Sequence, residues 1–214
     1  MVIAIDGPSG VGKSTVSRSV ARQLGLGYLD TGATYRAATL AMVQAGIDIT
    51  SEQAILDELT HHSIDYSEKG IVLDGKSVAF DVRSDEVTRN VSALSAHPRV
   101  RNAIVKMQRS WVDDRGGEVV VEGRDIGTVV FPEAPVKIYL TASALVRATR
   151  RSRDAEASDK SIEEIAAEIE ARDHADSTRR ASPLRPAVDA LVIDTSDLTI
   201  TEVVDRISEA ATLV

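Results

Sequence analysis

The run Gly7-Pro8-Ser9-Gly10-Val11-Gly12-Lys13-Ser14-Thr15 constrains this chain more than any other feature. It follows an apolar segment, Val2–Ile5, and precedes apolar positions spaced by four at Val16, Val20 and Leu24. Strand, glycine-rich turn and amphipathic helix in that order satisfy the pattern G-x-x-x-x-G-K-[ST] in the context it requires. The glycines let the main chain curl so that successive N–H groups face inward, and the positive end of the helix starting near Lys13 adds to their field. The guest such a cradle suits is a polyphosphate. Lys13 is then placed to reach the β- and γ-phosphates and the Ser14 hydroxyl to hold Mg²⁺, which makes ATP or GTP binding the expectation.

The rest of the chain fits a layered α/β fold. Three further apolar runs, Val119–Val121, Val136–Leu140 and Leu191–Ile193, read as strands covered on both faces, the habit of parallel sheets. Helical spacing recurs at Val100, Ile104, Met107 and Trp111 behind Pro98, at Ile162, Ile165 and Ile169, and at Ile200, Val203, Val204 and Ile207. Strands alternating with helices predict a parallel sheet flanked by helices. Two stretches break the alternation. Ile64–Asp81 carries short apolar runs, Gly70–Leu73 and Ser77–Phe80, on either side of Asp74-Gly75, a strong hairpin-turn dipeptide, and reads as a small antiparallel insertion. Ala142–Lys160 is polar and charged, with Arg147, Arg150, Arg151 and Arg153 close together.

Composition narrows the function classes. The 214 residues suit a single domain with insertions. There are no cysteines, which removes disulfide frameworks, thiolate metal sites, iron–sulfur clusters and cysteine nucleophiles. A formal net charge of −8 speaks against a nucleic-acid partner. The longest uncharged stretch near the start, Ala37–Ile47, is far short of the roughly 20 residues a bilayer needs. The first residues lack the basic-then-apolar pattern of a secretory signal, so a cytoplasmic location without membrane partners is expected. No long exposed apolar stripe compels a dimer, and a monomer is expected.

A phosphate loop does not say what the triphosphate is for. A small-molecule kinase, a GTPase switch and an ATPase that drives assembly or motion all use one. The Asn-Lys-x-Asp guanine reader of GTPases is absent, since Asn90 and Asn102 precede Val91 and Ala103. A mechanical ATPase usually needs a larger core, so a kinase is favoured. A kinase must exclude water, and it holds a phosphorylated acceptor with fixed cations. Arginine candidates stand at Arg36, at Arg99 and Arg101, at Arg124 beside Asp125, and at Arg172, Arg179 and Arg180. Any one of these taken alone is most often a solvated surface charge. Arg124 and Asp125 follow the Val119–Val121 strand, where open α/β sheets bind ligands. Arg147, Arg150 and Arg151 share one face if helical, and a transferring phosphoryl group would supply the charge that face lacks. The acidic Asp154, Glu156 and Asp159 offer the plainer alternative of a salt-bridged exposed helix.

Four segments together resemble the bacterial cytidylate kinase family of nucleoside monophosphate kinases. They are Ile5–Gly10, then Leu29-Asp30-Thr31-Gly32-Ala33 with Tyr35-Arg36, then Gly123-Arg124-Asp125-Ile126-Gly127-Thr128-Val129-Val130-Phe131-Pro132, and Arg172-Asp173, Asp176, Arg179, Pro183-Leu184. The third run is far more specific than the phosphate loop. Two departures are small: Glu122 stands where many members have Asp, and Thr31 where some have Ser.

The resemblance implies a P-loop kinase fold over residues 1–214, with a monophosphate-binding insertion region at 33–100 that includes the hairpin, and a lid at 147–160. It implies transfer of the γ-phosphoryl group of MgATP to CMP or dCMP. Carried over position by position, Thr31 and Arg36 contact the acceptor, and Ser92, Arg101 and Asp125 recognise cytosine. Arg172, Asp176 and Arg179 hold the ribose or phosphate, with Arg180 in place of Arg179 if the register shifts by one. Lys13, Arg147, Arg150 and Arg151 surround the transferred group. Cytosine presents an amino donor beside N3 and O2 acceptors, and a carboxylate with an arginine complements that edge; polar groups left unpaired by another base make such a site selective. Insertion and lid are expected to close before transfer. A relative acting on shikimate, a coenzyme A precursor or another monophosphate remains an alternative, as does an ATP-binding module without an acceptor. Adenylate kinase is disfavoured because its Asp-Gly-Phe-Pro-Arg run is missing.

Overall fold

The computed structural model describes residues 1–67, 70–153, 160–179 and 181–213. They form two compact units, one of residues 1–29 and 115–213, the other of residues 30–114.

The first unit is built on the strands β1 (Val2–Asp6), β2 (Gly27–Asp30), β6 (Val119–Gly123), β7 (Val136–Thr141) and β8 (Leu191–Asp194), in sheet order β2-β6-β1-β7-β8. β1 runs parallel to both β6 and β7, and β7 parallel to β8. The runs Val2–Ile5, Val119–Val121, Val136–Leu140 and Leu191–Ile193 each fall in one of these strands, but β8 is not covered on both faces as expected: it ends the sheet, and Leu191 and Val192 are exposed. The helices α1 (Lys13–Leu24), α6 (Ala144–Arg151), α7 (Ile162–Thr178) and α8 (Ile200–Thr212) belong to this unit. Ile3, Ile5, Ile138 and Leu140 of the sheet pack with Val16 and Val20 of α1 and Val203, Val204 and Ile207 of α8. Burying each large side chain of this kind contributes about 1.5–3 kcal/mol. Capping boxes at Ser161 with Glu164 and at Thr199 with Glu202 fix the starts of α7 and α8.

The second unit contains α2 (Thr31–Ala45), α3 (Glu52–Leu59), α4 (Asp85–Ala96), α5 (Pro98–Asp113) and an antiparallel sheet of β3 (Ile64–Ser67), β4 (Gly70–Leu73) and β5 (Lys76–Ser77). Ala37, Ala38, Ala41 and Met42 of α2 lie at its core with Ile55, Leu94, Val100 and Ile104. Asp74 and Gly75 turn β4 into β5 with φ of 50° and 75°, the geometry a two-residue hairpin loop prefers. The expected second arm, Ser77–Phe80, is shorter than its apolar run. After Ser77 the chain leaves the sheet, because Val78 turns inward to the core and a short 3₁₀ turn, Asp81–Arg83, follows. Among the described residues no helix is long and apolar enough to cross a membrane.

Candidate functional site

β1 delivers the chain to the loop at Gly7 and α1 takes it away at Lys13. Two glycines are dictated by their neighbours. A Cβ on Gly7 would lie 2.3 Å from the Leu140 carbonyl oxygen, and one on Gly10 would lie 2.9 Å from the Arg147 carbonyl oxygen, at a φ of +79°. The loop therefore rests directly on the start of α6. In this closely packed form its outward carbonyls meet three guanidinium groups. Arg124 Nη1 donates to the Gly7 carbonyl at 2.7 Å, Arg147 Nη1 to that of Ser9 at 3.2 Å, and Arg150 Nη1 to that of Val11 at 3.3 Å. Arg150 is further held by the hydroxyl and carbonyl of Thr195, at 2.8 and 2.6 Å. Arg151 ends the same helix and is partly exposed.

The loop's charges are strongly perturbed. Lys13 Nζ donates to the Pro8 carbonyl at 2.7 Å. Enclosure of its ammonium, then the nearby Arg124 charge, push its pKa down to about 7, against the opposing pull of Glu122. Asp6, 3% exposed, accepts the N–H groups of Ile126 and Gly127, both at 2.8 Å. Burial outweighs those two hydrogen bonds and lifts its pKa to about 6. Asp6 thus ties the end of β1 to the single π-helical turn Ile126–Val130 that follows Asp125.

A second cluster stands beside the loop in the same unit. Asp176 of α7 accepts from Arg124 Nε at 2.9 Å and lies 3.4 Å from Arg179 Nη1, while Arg179 Nη2 is 3.8 Å from Asp125 Oδ1. Burial acts to raise the Asp176 pKa, but Arg124, Arg179 and Arg172 together hold it below the usual carboxylate value. Asp125 is buried, and Arg172 is near enough to depress Lys13. Asp125, Arg172, Asp176 and Arg179 are thereby brought into one charged network with Arg124, which the sequence singles out with Asp125 at the end of the Val119–Val121 strand. Asp173 is a further participant: its carboxylate pairs with Arg147 and accepts the Ser9 N–H at 2.9 Å. Arg180 and the acidic Asp154, Glu156 and Asp159 lie outside the described residues, as does much of the expected lid.

The second unit carries the other expected contacts. Asp30 caps α2 by accepting the Ala33 N–H at 3.0 Å, which sets Thr31 as the buried first residue of that helix. Arg36 Nη1 donates to the Val82 carbonyl at 3.0 Å and to the Thr88 hydroxyl at 2.9 Å. Arg101 is 4% exposed, an unusual degree of burial for arginine, and its guanidinium lies over the Tyr35 ring at 5.1 Å. Ser92 is exposed on α4.

The Ser14 hydroxyl donates to Glu122 Oε2 at 3.1 Å, and Tyr28 donates its hydroxyl to Glu122 Oε1. A hydroxyl and a carboxylate form an oxygen-only donor set of the kind Mg²⁺ takes while keeping waters and phosphate oxygens for the remaining positions, so the residues present fit that ion. Glu122 is the strand-end carboxylate of β6; its sequence signal was only that it stands where Asp is common.

A family model described as cytidylate kinase matches residues 3–213. The cytidylate kinase of Mycobacterium avium (strain 104) is 49% identical over 215 residues, covering 98% of this chain and 94% of that protein. That of Limosilactobacillus reuteri (strain DSM 20016) is 46% identical over 214 residues, covering 97% and 93%. Among solved structures, a shikimate kinase from Bacteroides thetaiotaomicron aligns with a TM-score of 0.50 over 99% of this chain and 98% of that one, at 15% identity, a likeness of fold alone. On the family match and these identities over nearly its whole length, the chain belongs to the cytidylate kinase family.

Proposed function

We propose that this chain transfers the γ-phosphoryl group of ATP to the phosphate of CMP or dCMP. The observation that carries this reading is the set of three arginines, Arg124, Arg147 and Arg150, that donate to the alternate loop carbonyls of Gly7, Ser9 and Val11. The Ser9 N–H is engaged by Asp173, and the remaining loop N–H groups are the ones this reading assigns to a polyphosphate, with the three guanidinium groups fixed against the loop's carbonyls. Family membership supplies the acceptor.

The mechanism follows from charge and alignment. The attacking group is an already ionised phosphate oxygen, so no general base is needed. Loop N–H groups and Lys13 hold the donor's phosphates, and the arginines oppose the charge that spreads over the transferred group. In this reading the acceptor-binding residues are Thr31, Arg36, Ser92, Arg101, Asp125, Arg172, Asp176 and Arg179. Arg101 and Asp125 read the donor and acceptor edge of cytosine, and Arg36 faces the acceptor phosphate. Ser14, beside Glu122, holds the Mg²⁺ that accompanies ATP. The ion, when bound, neutralises phosphate charge. Arg150, anchored twice on Thr195, serves as a fixed cation, and Arg147 as the one next to the transferring group.

An ADP-release assay run with CMP, dCMP, UMP, AMP and shikimate as acceptors tests this. Turnover with CMP and dCMP well above the others is expected. Turnover with only UMP, AMP or shikimate overturns the acceptor assignment, and ATP binding without any monophosphate binding in a calorimetric titration overturns the kinase reading altogether.

A further inference from the structure

Four side chains are linked in a chain beside the start of α1. Ser14 and Arg18 are four residues apart on that helix and so share a face. Ser14 donates to one oxygen of Glu122, Tyr28 donates to the other, and the Arg18 guanidinium lies over the Tyr28 ring at 5.2 Å. Glu122 is 2% exposed, and β2, which carries Tyr28, lies next to β6 in the sheet, fixed there by the Gly27 N–H donating to the Glu118 carbonyl at 2.8 Å.

Each member has a distinct consequence. A glutamate has one more rotatable bond than an aspartate, so its carboxylate reaches farther and is less well directed. A hydroxyl bound to Oε1 removes that freedom and leaves Oε2 turned to Ser14. Arg18 in turn keeps the phenol ring against the helix that bears Ser14. We infer that Tyr28 is a positioning residue for the divalent cation that accompanies the nucleotide, acting through Glu122 to set the oxygen pair of Glu122 and Ser14. The inference rests on the reading that Ser14 holds that cation, and it is independent of which acceptor is used.

The test is calorimetric binding of ADP to the whole chain, without divalent cation in EDTA and then across a Mg²⁺ titration. The proteins are the unaltered chain, Tyr28→Phe, Glu122→Gln and the double variant. Tyr28→Phe removes one oxygen and keeps the ring under Arg18. The expected result is a rise of about 10-fold in the Mg²⁺ concentration that gives half the cation-dependent gain in affinity, the usual order for an outer-shell partner. Affinity without cation should stay within about twofold, and in the Glu122→Gln background Tyr28→Phe should add little further shift. An unchanged Mg²⁺ midpoint in Tyr28→Phe overturns the inference. So does an equal loss of affinity with and without the cation, which would mark Tyr28 as packing only, or an undiminished shift in the Glu122→Gln background. Failure of the unaltered chain to phosphorylate CMP would sink the acceptor assignment and leave this measurement intact, since the titration contains no acceptor.

Discussion

Asp173 holds Arg147 by an ion pair while its other oxygen receives the Ser9 N–H at 2.9 Å, so one carboxylate fastens an α6 arginine to the phosphate loop. Arg147 Nε is buried and has no hydrogen-bond partner among the described residues, which leaves a donor in reserve. Asp173→Asn keeps an oxygen for Ser9 and removes the charge opposite Arg147. Turnover is expected to fall roughly 10-fold, about 1.4 kcal/mol of barrier, with little loss of stability. In an Arg147→Ala background the same change should cost almost nothing, because its effect passes through the missing guanidinium. Steady-state kinetics on the four proteins check this, and equal losses in both backgrounds would refute it.

Asp6 makes stability depend on pH in a direction opposite to that of most buried carboxylates with partners. Its pKa rises from 3.8 to about 6 on folding, chiefly by burial. Between those values the folded chain binds more protons than the unfolded one, so this contribution is full below 3.8 and is lost as pH climbs through about 6. The loss is on the order of a few kcal/mol. Asp6→Asn should abolish that dependence. It should also destabilise the chain by about 1–3 kcal/mol, since an amide turns a donor toward the N–H of either Ile126 or Gly127. Urea denaturation repeated from about pH 4 to pH 7 measures both effects. A variant with the same pH slope as the unaltered chain would remove Asp6 as its source.

Much of the fold is legible in the sequence because β1, β6, β7 and β8 each carry a plain apolar run; β1 and β6 are buried on both faces, whereas β8, at the end of the sheet, leaves Leu191 and Val192 exposed. β2 carries no such run, since Gly27-Tyr28-Leu29-Asp30 mixes a glycine, a phenol and a capping acid in four residues. The helix α2 escapes a periodicity reading because Thr31, Thr34, Tyr35, Ala37, Ala38, Thr39, Leu40, Ala41 and Met42 are all buried, which leaves no polar face to set the phase. The phosphate loop is legible because its chemistry is local. Glu122, Tyr28 and Asp173 are not, because each acts through a partner far along the chain: Ser14 and Glu122 are 108 positions apart, Tyr28 and Glu122 are 94, and Ser9 and Asp173 are 164.

Arg36 donates two hydrogen bonds that hold its guanidinium, to the Val82 carbonyl and the Thr88 hydroxyl. Thr88→Val keeps the shape of the side chain and removes the acceptor 2.9 Å from the guanidinium. If Arg36 grips the acceptor phosphate, KM for CMP should rise about 3- to 10-fold, the worth of one ordinary hydrogen bond, with KM for ATP unchanged. Initial-rate measurements with each substrate varied in turn decide it. A parallel rise in both KM values would mean that Thr88 supports the unit as a whole.

Lys13 gives the donor side its own pH signature. Free, its pKa stands at about 7, pressed down first by burial and then by Arg124. Phosphate oxygens beside the ammonium favour its charged form, so nucleotide binding must lift that value and take up a proton wherever the free amine is neutral. Affinity for ATP is therefore expected to be full below about pH 7 and to weaken as pH rises past it. Calorimetric titration at about pH 8 in two buffers of different ionisation enthalpy should show uptake approaching one proton per nucleotide, a pH chosen to lie above the free amine's pKa. Lys13→Ala should bind ATP more weakly, show no such uptake and lose orders of magnitude in turnover, because the charge on the transferred group then goes unopposed from that side. Uptake that persists in Lys13→Ala would place the titrating group elsewhere in the loop, and near-normal turnover in that variant would remove Lys13 from the mechanism.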